Sequence, residues 1–349
     1  MTAPKKNRKT IRIIFVSVIV ILALAALTSY TMVKGKAITI DSQKYLVLPA
    51  GSTLADLENR LVNEFGLKYP KAFHILAQKM NLGKHLRAGR YTLMPGMNNL
   101  EIVRHIRSGG LRTTDLVIRG LMSKRDLCNL LGKNLEPDAE DYMYYLSSID
   151  TARLHGFNDS NSLCMVIPDT YNVYWMSNPD DLFKKLYGAY KKYWNETRLQ
   201  KAKAAGLTPV QVSILASIVD KETSKEDEMA TVAGLYINRL KQGIKLQSDP
   251  TVKYAIDSPL LKRIYDKHTN FPSPYNTYYV KGLPPGPLCI PSMQSLNAVL
   301  NYQEHNYIFM CAKPDFSGYH NFAVTDKEHA LNAKRYHDAL DRLKASQGQ

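Results

Sequence analysis

The stretch Pro209-Val-Gln-Val-Ser-Ile-Leu-Ala-Ser-Ile-Val-Asp-Lys-Glu222 is a strongly apolar segment that ends on a carboxylate. On a period of 3.6 residues, Leu215, Ile218, Val219 and Glu222 fall on one stripe of a helix. Glu222 therefore stands where the pattern requires a core side chain. Desolvation there raises the pKa of a glutamate, and so does the negative end of the helix dipole. A carboxylic acid that keeps its proton near neutral pH can act as a general acid.

The helix alone leaves two interpretations of Glu222 open. A glutamate at the end of an apolar stripe is often a partly exposed edge residue or the partner of an arginine, and structural networks also perturb carboxylates. The same pattern places Asp220 and Lys221 on other faces of the helix, as ordinary surface residues. The choice between a catalytic and a structural Glu222 depends on the segments that follow.

Those segments are loops rich in proline, glycine, tyrosine and asparagine. Residues 248–251, Ser-Asp-Pro-Thr, predict a turn, because Pro250 fixes φ and Asp249 can bond the backbone ahead. Residues 273–278 and 282–287 follow neither a helical nor a strand period. Rigid loops of this composition suit sugar binding, since tyrosine stacks on pyranose rings and polar side chains bond hydroxyls. Well-packed structural turns are an equally good interpretation.

Seven segments stand out in chain order: Ile167-Pro-Asp-Thr-Tyr171, Ala216-Ser-Ile-Val-Asp-Lys-Glu-Thr223, Asn238-Arg-Leu240, Leu246-Gln-Ser-Asp-Pro-Thr-Val252, Ser273-Pro-Tyr-Asn-Thr-Tyr278, Gly282-Leu-Pro-Pro-Gly-Pro287 and Tyr319-His-Asn-Phe322. In sequence and in order they resemble the MltG, or YceG-like, family of endolytic murein transglycosylases. The family's catalytic glutamate falls on Glu222. Two departures from the family pattern are Asp220, where glutamate is common, and Ile290-Pro-Ser292, where Asn-Pro-Gly is usual. The resemblance covers roughly the second half of the chain.

The resemblance implies a lyase that cleaves the β-1,4 bond between N-acetylmuramic acid and N-acetylglucosamine within peptidoglycan strands. A 1,6-anhydro end would result, terminating nascent strands, with Glu222 acting first as acid and then as base. His320 could line the site because it lies in a matching segment. No cofactor and no metal site is expected, and peptidoglycan synthases are candidate partners. Candidates for holding the sugars are Gln247, Ser248, Asp249, Tyr254, Tyr275, Asn276 and Tyr278.

Two alternatives to this lyase stay open. Glycosidases usually use two carboxylates, and Asp249 could make the enzyme a muramidase, that is, a hydrolase. A non-catalytic scaffold that binds peptidoglycan is the other alternative, although binding alone gives no reason to desolvate Glu222.

The N-terminal region predicts a membrane anchor. Residues 13–30 are uncharged and mostly apolar, which is long enough to span a bilayer. Five lysines and arginines precede them and favour a cytoplasmic N-terminus. The prediction is a single-pass protein of the inner membrane with its catalytic domain in the periplasm. A cleaved signal peptide is the alternative, but Ala23-Leu-Ala25, which resembles a cleavage site, lies inside the apolar run.

The charge and the cysteine content limit the classes of partner and of metal site that the chain can have. The net charge of +15 suits anionic lipid head groups or wall polymers. Nucleic acid is excluded as a partner because the chain carries no nucleic-acid-binding motif and has a membrane segment. The cysteines are expected to be small buried hydrophobes, although a disulfide could form outside the cytoplasm. None of them forms a Cys-x-x-Cys pair, which argues against zinc; they are Cys128, Cys164, Cys289 and Cys311.

The predicted fold class is α+β, with a transmembrane helix, a small LysM-like strand–helix subdomain and a mixed catalytic domain. Residues 46–57, 91–102 and 116–127 each read as a strand followed by a helix, and such units should pack on each other. Residues 181–205 read as one long amphipathic helix that packs on the helix ending at Glu222. The predicted boundaries are 1–12 for the cytoplasmic N-terminus, 13–33 for the anchor, 40–135 for the LysM-like region, 136–157 for a linker and 158–349 for the catalytic domain.

Overall fold

The computed structural model of the chain describes residues 8–49, 51–109, 113–147, 155–261 and 263–346. The described residues form α-helices of 4 to 27 residues and small two-stranded sheets. The predicted α+β class is therefore confirmed. The chain divides into two compact units. The first comprises Met1–Thr114 with Tyr174–Met176, and the second comprises Asp115–Val173 with Ser177–Gln349.

The chain begins with an exposed apolar helix, α1, which spans Arg8–Lys34. Its portion Arg12–Lys34 is long and apolar enough to cross a membrane, and none of its most apolar stretch is buried in the protein. The helix therefore agrees in length and composition with the predicted anchor at 13–33. Most of the predicted cytoplasmic segment, residues 1–7, lies outside the described residues.

The rest of the first unit packs around a small antiparallel sheet. Leu46 of one strand lies opposite Tyr91 of the other, and both are fully buried. The predicted strand–helix segments 46–57 and 91–102 thus share one core, as expected. The elements are β1 (Lys44–Leu48), α2 (Leu54–Phe65), α3 (Pro70–Lys79), α4 (Leu82–His85), β2 (Gly89–Leu93) and α5 (Asn99–Ser108).

The third predicted strand–helix segment, 116–127, departs from that expectation. Its strand, β3, pairs with β4, and its Leu116 and Leu127 belong to a different core from that of β1 and β2. The elements in this part of the chain are β3 (Thr113–Ile118), α6 (Lys124–Asn134), α7 (Ala139–Ser147), a 3-10 turn (Ser162–Met165) and β4 (Asp169–Tyr174).

The predicted linker at 136–157 contains α7, whose Tyr142 and Leu146 are buried against α6. Residues 148–154 of that linker lie outside the described part of the chain. The prediction of one long helix over 181–205 is wrong. Two helices occupy it, α8 (Pro179–Tyr193) and α9 (Glu196–Ala204). Asn195 breaks the run, because its side chain accepts the backbone N–H of Arg198 and caps a new helix.

The central element of the second unit is α10, Pro209–Glu222. Thr208 and Gln211 form a capping box at its start, and Pro209 occupies the first turn, where no backbone donor is needed. Every residue from Val212 to Val219 is buried, and the helix packs against two later helices, α11 and α14. Because α10 is enclosed in this way, Glu222 at its C-terminus lies at the edge of the core.

The remaining elements of the second unit follow α10 in the chain. They are α11 (Glu226–Lys241), α12 (Asp249–Ala255), α13 (Asp266–Thr269), α14 (Met293–Leu300), β5 (Phe309–Ala312), β6 (His320–Ala323) and α15 (Asp326–Ser346).

Candidate active site

Glu222 lies at the C-terminus of α10 and lines a cleft of about 350 Å³. The other walls come from α11, the start of α12 and the turn before it, Tyr278, strand β5, the first residue of β6 and His329 of α15. Glu222 itself is half-buried. The Glu222 carboxyl group therefore lies at the edge of the core and lines a cleft that is large enough for part of a polymeric ligand.

Two hydrogen bonds converge on one oxygen of this carboxyl group. The hydroxyls of Tyr236 and Ser248 both donate to Oε1 of Glu222, each at 2.5 Å. Burial raises the pKa of Glu222, the two donors oppose that rise, and the nearby charge of Asp249 adds to it. Because burial dominates, Glu222 holds its proton to a higher pH than an ordinary glutamate.

The turn before α12 brings Ser248 to Glu222. Gln247 has a φ of +54°, a left-handed conformation that non-glycine residues adopt mainly where surrounding contacts enforce it. Those contacts come from Thr277, which accepts the N–H of Gln247 on its carbonyl (3.1 Å) and the N–H of Ser248 on its hydroxyl (3.0 Å). The hydroxyls of Thr251 and Thr277 also bond each other at 2.7 Å. Two of the matching sequence segments therefore lock together and fix the Ser248 hydroxyl.

Gln247, Asp249 and Tyr278 also line the cleft. The Tyr278 hydroxyl donates to Asp249 Oδ1 at 2.8 Å, and burial raises the pKa of Tyr278, so it remains a donor. The Gln247 side-chain oxygen accepts from Arg239 Nη2 at 2.5 Å. Arg239 in turn donates to the Ile308 carbonyl, which ties the turn to α11 and to the segment before β5. Four of the sequence-predicted sugar-binding residues thus lie around Glu222.

The other three predicted sugar-binding residues lie elsewhere. Tyr254 lines a second cavity of about 740 Å³, and its ring packs on Tyr275 with centroids 4.7 Å apart. Asn276 is fully buried, and its amide donates to the carbonyls of His268, Thr269 and Phe271. In this structure Asn276 holds the loop together and does not reach the cleft.

Sequence reasoning missed Tyr236, Arg239 and Glu228. Glu228 of α11 is buried and accepts both the backbone N–H of His320 (2.7 Å) and its Nδ1 (2.8 Å). This pair holds β6 against α11 and places the His320 ring at the cleft. The only signal for Tyr236 is that a buried tyrosine on an apolar helix stripe needs a partner for its hydroxyl, and that signal does not name the partner.

The expectation that Asp220 is a surface residue is wrong. Its carboxylate is half-buried and accepts hydrogen bonds from Ser292 N (2.7 Å), Ser292 Oγ (2.6 Å) and Ser295 Oγ (2.7 Å). Burial raises the pKa of Asp220, and these donors oppose the rise. The reason is that α10 is enclosed on nearly all sides, so a residue off the apolar stripe still faces another helix. Lys221 is exposed, as expected.

The cysteines are all free thiols. Three of them, Cys128, Cys164 and Cys289, are buried, as the sequence predicted. Cys311 differs, since it lies half-buried on β5 and lines the cleft beside Glu222.

Comparison with known proteins identifies the family of the chain. The sequence model of the YceG-like family matches residues 46–335. The chain belongs to the YceG-like family. The resemblance inferred from the sequence segments is thereby confirmed.

Two curated relatives and one crystal structure extend the comparison. An endolytic murein transglycosylase of Bacillus subtilis (strain 168) is 26% identical over 313 residues, which cover 83% of each chain. One of Streptococcus pneumoniae (strain D39) is 24% identical over 346 residues, covering 87% of this chain but only 61% of that protein. The crystal structure of a yceG-like protein from Listeria monocytogenes has the same fold. It superposes with a TM-score of 0.55 at 21% identity, over 84% of this chain and 99% of the other.

Proposed function

We propose that this YceG-like protein is an endolytic lytic transglycosylase. It cleaves the β-1,4 bond between N-acetylmuramic acid and N-acetylglucosamine within peptidoglycan strands and leaves a 1,6-anhydro end. The observation that carries the proposal is the carboxyl group of Glu222, which is half-buried at the cleft and has a raised pKa. The names of the relatives, endolytic murein transglycosylases, support the same reaction.

The chemistry begins with Glu222 as the general acid. It protonates the glycosidic oxygen as the bond to C1 of the muramoyl residue breaks. The Glu222 carboxylate then takes the proton of the muramoyl 6-hydroxyl while O6 bonds to C1. The proton that the acid lost is thus restored, and no water is consumed, so the reaction is that of a lyase.

The hydroxyls around Glu222 fit this cycle. Tyr236 and Ser248 both donate to Oε1, and Oε2 accepts no hydrogen bond from any residue that the structure describes. The two donors stabilise the carboxylate that forms when the proton leaves. Because they are already in position, no reorganisation is needed at that moment. Oε2 is the oxygen that carries the proton in this proposal.

A two-carboxylate hydrolase is the second candidate, favoured by one observation. Asp249 is exposed to solvent in the same cleft and contributes to the raised pKa of Glu222. In a hydrolase it would act as nucleophile or base. Its hydrogen bond from Tyr278 and its place at the first turn of α12 favour a supporting role.

Product analysis separates these possibilities. The full-length protein is incubated with uncrosslinked peptidoglycan strands, and the new ends are identified by mass spectrometry. Anhydro ends made by the wild type and absent with Glu222→Gln support the lyase. Reducing ends would establish the hydrolase, and strands that bind without being cut would establish the non-catalytic scaffold.

The chain's organisation is part of the proposal. Helix α1 anchors it in the inner membrane with residues 158–349 in the periplasm as the catalytic part. Residues 40–135 form a LysM-like region that positions glycan, and the enzyme ends nascent strands beside peptidoglycan synthases. The exposed apolar surface of α1 supports the anchor. N-terminal sequencing of the mature protein tests it, since a first residue beyond Ala25 would mean a cleaved signal peptide.

A further inference from the structure

The second cavity and the Glu222 cleft are lined by neighbouring residues of the chain. At two places in the chain, one residue lines the cleft and the residue next to it lines the second cavity. Glu222 lines the cleft and Lys221 lines the second cavity, and likewise Asp249 lines the cleft and Pro250 the second cavity. The end of α10 and the start of α12 therefore form a shared wall. A side group of a ligand bound at Glu222 that crosses this shared wall would enter the second cavity.

The lining of the second cavity carries charges of both signs. Lys221 and Lys253 face it, and neither forms an ion pair with a residue that the structure describes. Asp257 supplies an exposed carboxylate. A second carboxylate, that of Asp126, is already bonded to Ser123 N (3.0 Å) and Oγ (2.7 Å) in a helix cap. Among the described residues, the side chains of Lys221, Lys253 and Asp257 thus form no hydrogen bond or ion pair, although the charge of Lys221 also acts on Asp126 and Asp220.

Apolar surface completes the cavity. The Tyr254 ring, Pro259 and Leu288 line it, and Tyr275 packs behind Tyr254. A volume of about 740 Å³ is in the range of pockets that hold a drug-sized molecule or a short peptide. Mixed charge with apolar walls suits a peptide that has carboxylates and an amine, and it disfavours a polyanion, which the carboxylates would repel.

Peptidoglycan supplies such a peptide at this position. The reaction proposed above, on which this inference rests, places the muramoyl residue at Glu222. That sugar bears a short peptide on its lactyl group, with free carboxylates and an amine. We propose that the second cavity binds the stem peptide of the muramoyl residue being cleaved, with Lys221 and Lys253 holding its carboxylates. The protein then recognises peptide-bearing strands over strands from which the peptides have been removed.

Binding to the inactive full-length Glu222→Gln protein tests the inference without requiring turnover. The probes are a peptide-bearing murein oligosaccharide, the same oligosaccharide after an amidase has removed its peptides, and one whose peptide carboxylates are amidated. Isothermal titration calorimetry compares them for Glu222→Gln alone and with Lys221→Met and Lys253→Met added. Lys203→Met, at an exposed position on α9, is the matched control.

The expected result is a preference of about tenfold or more for the peptide-bearing probe, since two charge-assisted contacts are involved. The lysine substitutions should remove that preference, amidation of the probe should do the same, and Lys203→Met should not. Equal affinity of the Glu222→Gln protein for all three probes would overturn the inference. So would lysine substitutions that weaken the binding of all three probes by the same factor. Because binding is measured apart from cleavage, failure here is distinct from failure of the proposed reaction, which product analysis reports.

Discussion

Replacing Glu222 with glutamine separates its chemical role from its structural one. Glutamine keeps the size of the side chain and an oxygen that can accept from Tyr236 and Ser248. It cannot donate the proton that the glycosidic oxygen needs. Loss of a positioned general acid costs about 10²–10⁴ in rate, so kcat should fall by at least that factor while glycan binding is retained.

The same substitution should stabilise the fold at neutral pH. Burial raises the pKa of Glu222 above its ordinary value of 4.5, so the folded state binds this proton more tightly than the unfolded state. The contribution of Glu222 to stability is therefore fully present below about pH 4.5 and is lost as the pH rises through the folded-state pKa. Each unit of difference corresponds to about 1.4 kcal/mol. Glutamine, which stays neutral, should therefore raise the Tm at pH 7 and leave it nearly unchanged at pH 4.

Thermal unfolding at pH 4 and pH 7 measures the stability difference, and release of new strand ends measures kcat. Glu304→Gln is the control, since it makes the same chemical change at an exposed position. It should alter neither activity nor the pH dependence of Tm. A Glu222→Gln protein that keeps a tenth of wild-type kcat, or that gains the same Tm at both pH values, would refute the reasoning.

Three further substitutions probe the surroundings of Glu222. Tyr236→Phe removes a donor that lowers the pKa of Glu222, so the alkaline limb of the pH–rate profile should move to higher pH; a limb that moves to lower pH would contradict this. Asp249→Asn should reduce kcat much less than Glu222→Gln and leave anhydro ends in the products, whereas a folded but inactive variant would favour the two-carboxylate hydrolase. Asp220→Ala leaves the donors of Ser292 unpaired and should cost about 2 kcal/mol, or about 4–8 °C in Tm; an unchanged melting curve would show that these bonds contribute nothing.

The helix of Glu222 was predictable because its signal is local and strong. The apolar run and the proline at its start mark α10 in the sequence, and the structure has α10 at Pro209–Glu222. The partners of Glu222 were only partly predictable. Ser248 was identified through a matching segment, but Tyr236 lies on the buried side of α11, where an aromatic residue is usually part of the core. Its role depends on where α10 ends relative to α11, which is a tertiary property.

The tyrosine- and asparagine-rich loops show the limit of composition as evidence. Tyr278 and Asn276 lie two residues apart in the same loop, and either could bind a sugar as far as residue type is concerned. In the structure Tyr278 lines the cleft, whereas the Asn276 amide donates to three backbone carbonyls at the end of α13 and just after it. Residue type states which hydrogen bonds are available, and only the fold decides whether a ligand or the backbone takes them.

The two departures from the family pattern turn out to be one structural feature. Asp220 and Ser292 are separated by 72 residues, yet the carboxylate of the first accepts both the backbone N–H and the hydroxyl of the second. Ser292 also caps α14 through Ser295, and the loop before it is held by Ile290, whose carbonyl accepts the N–H of Leu121 at 2.7 Å. A glycine at 292 would lack the hydroxyl, and a glutamate at 220 would be one methylene too long for the same geometry. In this chain the pairing of Asp220 with Ser292 therefore fixes the loop that follows the proline-rich segment on the helix that carries Glu222.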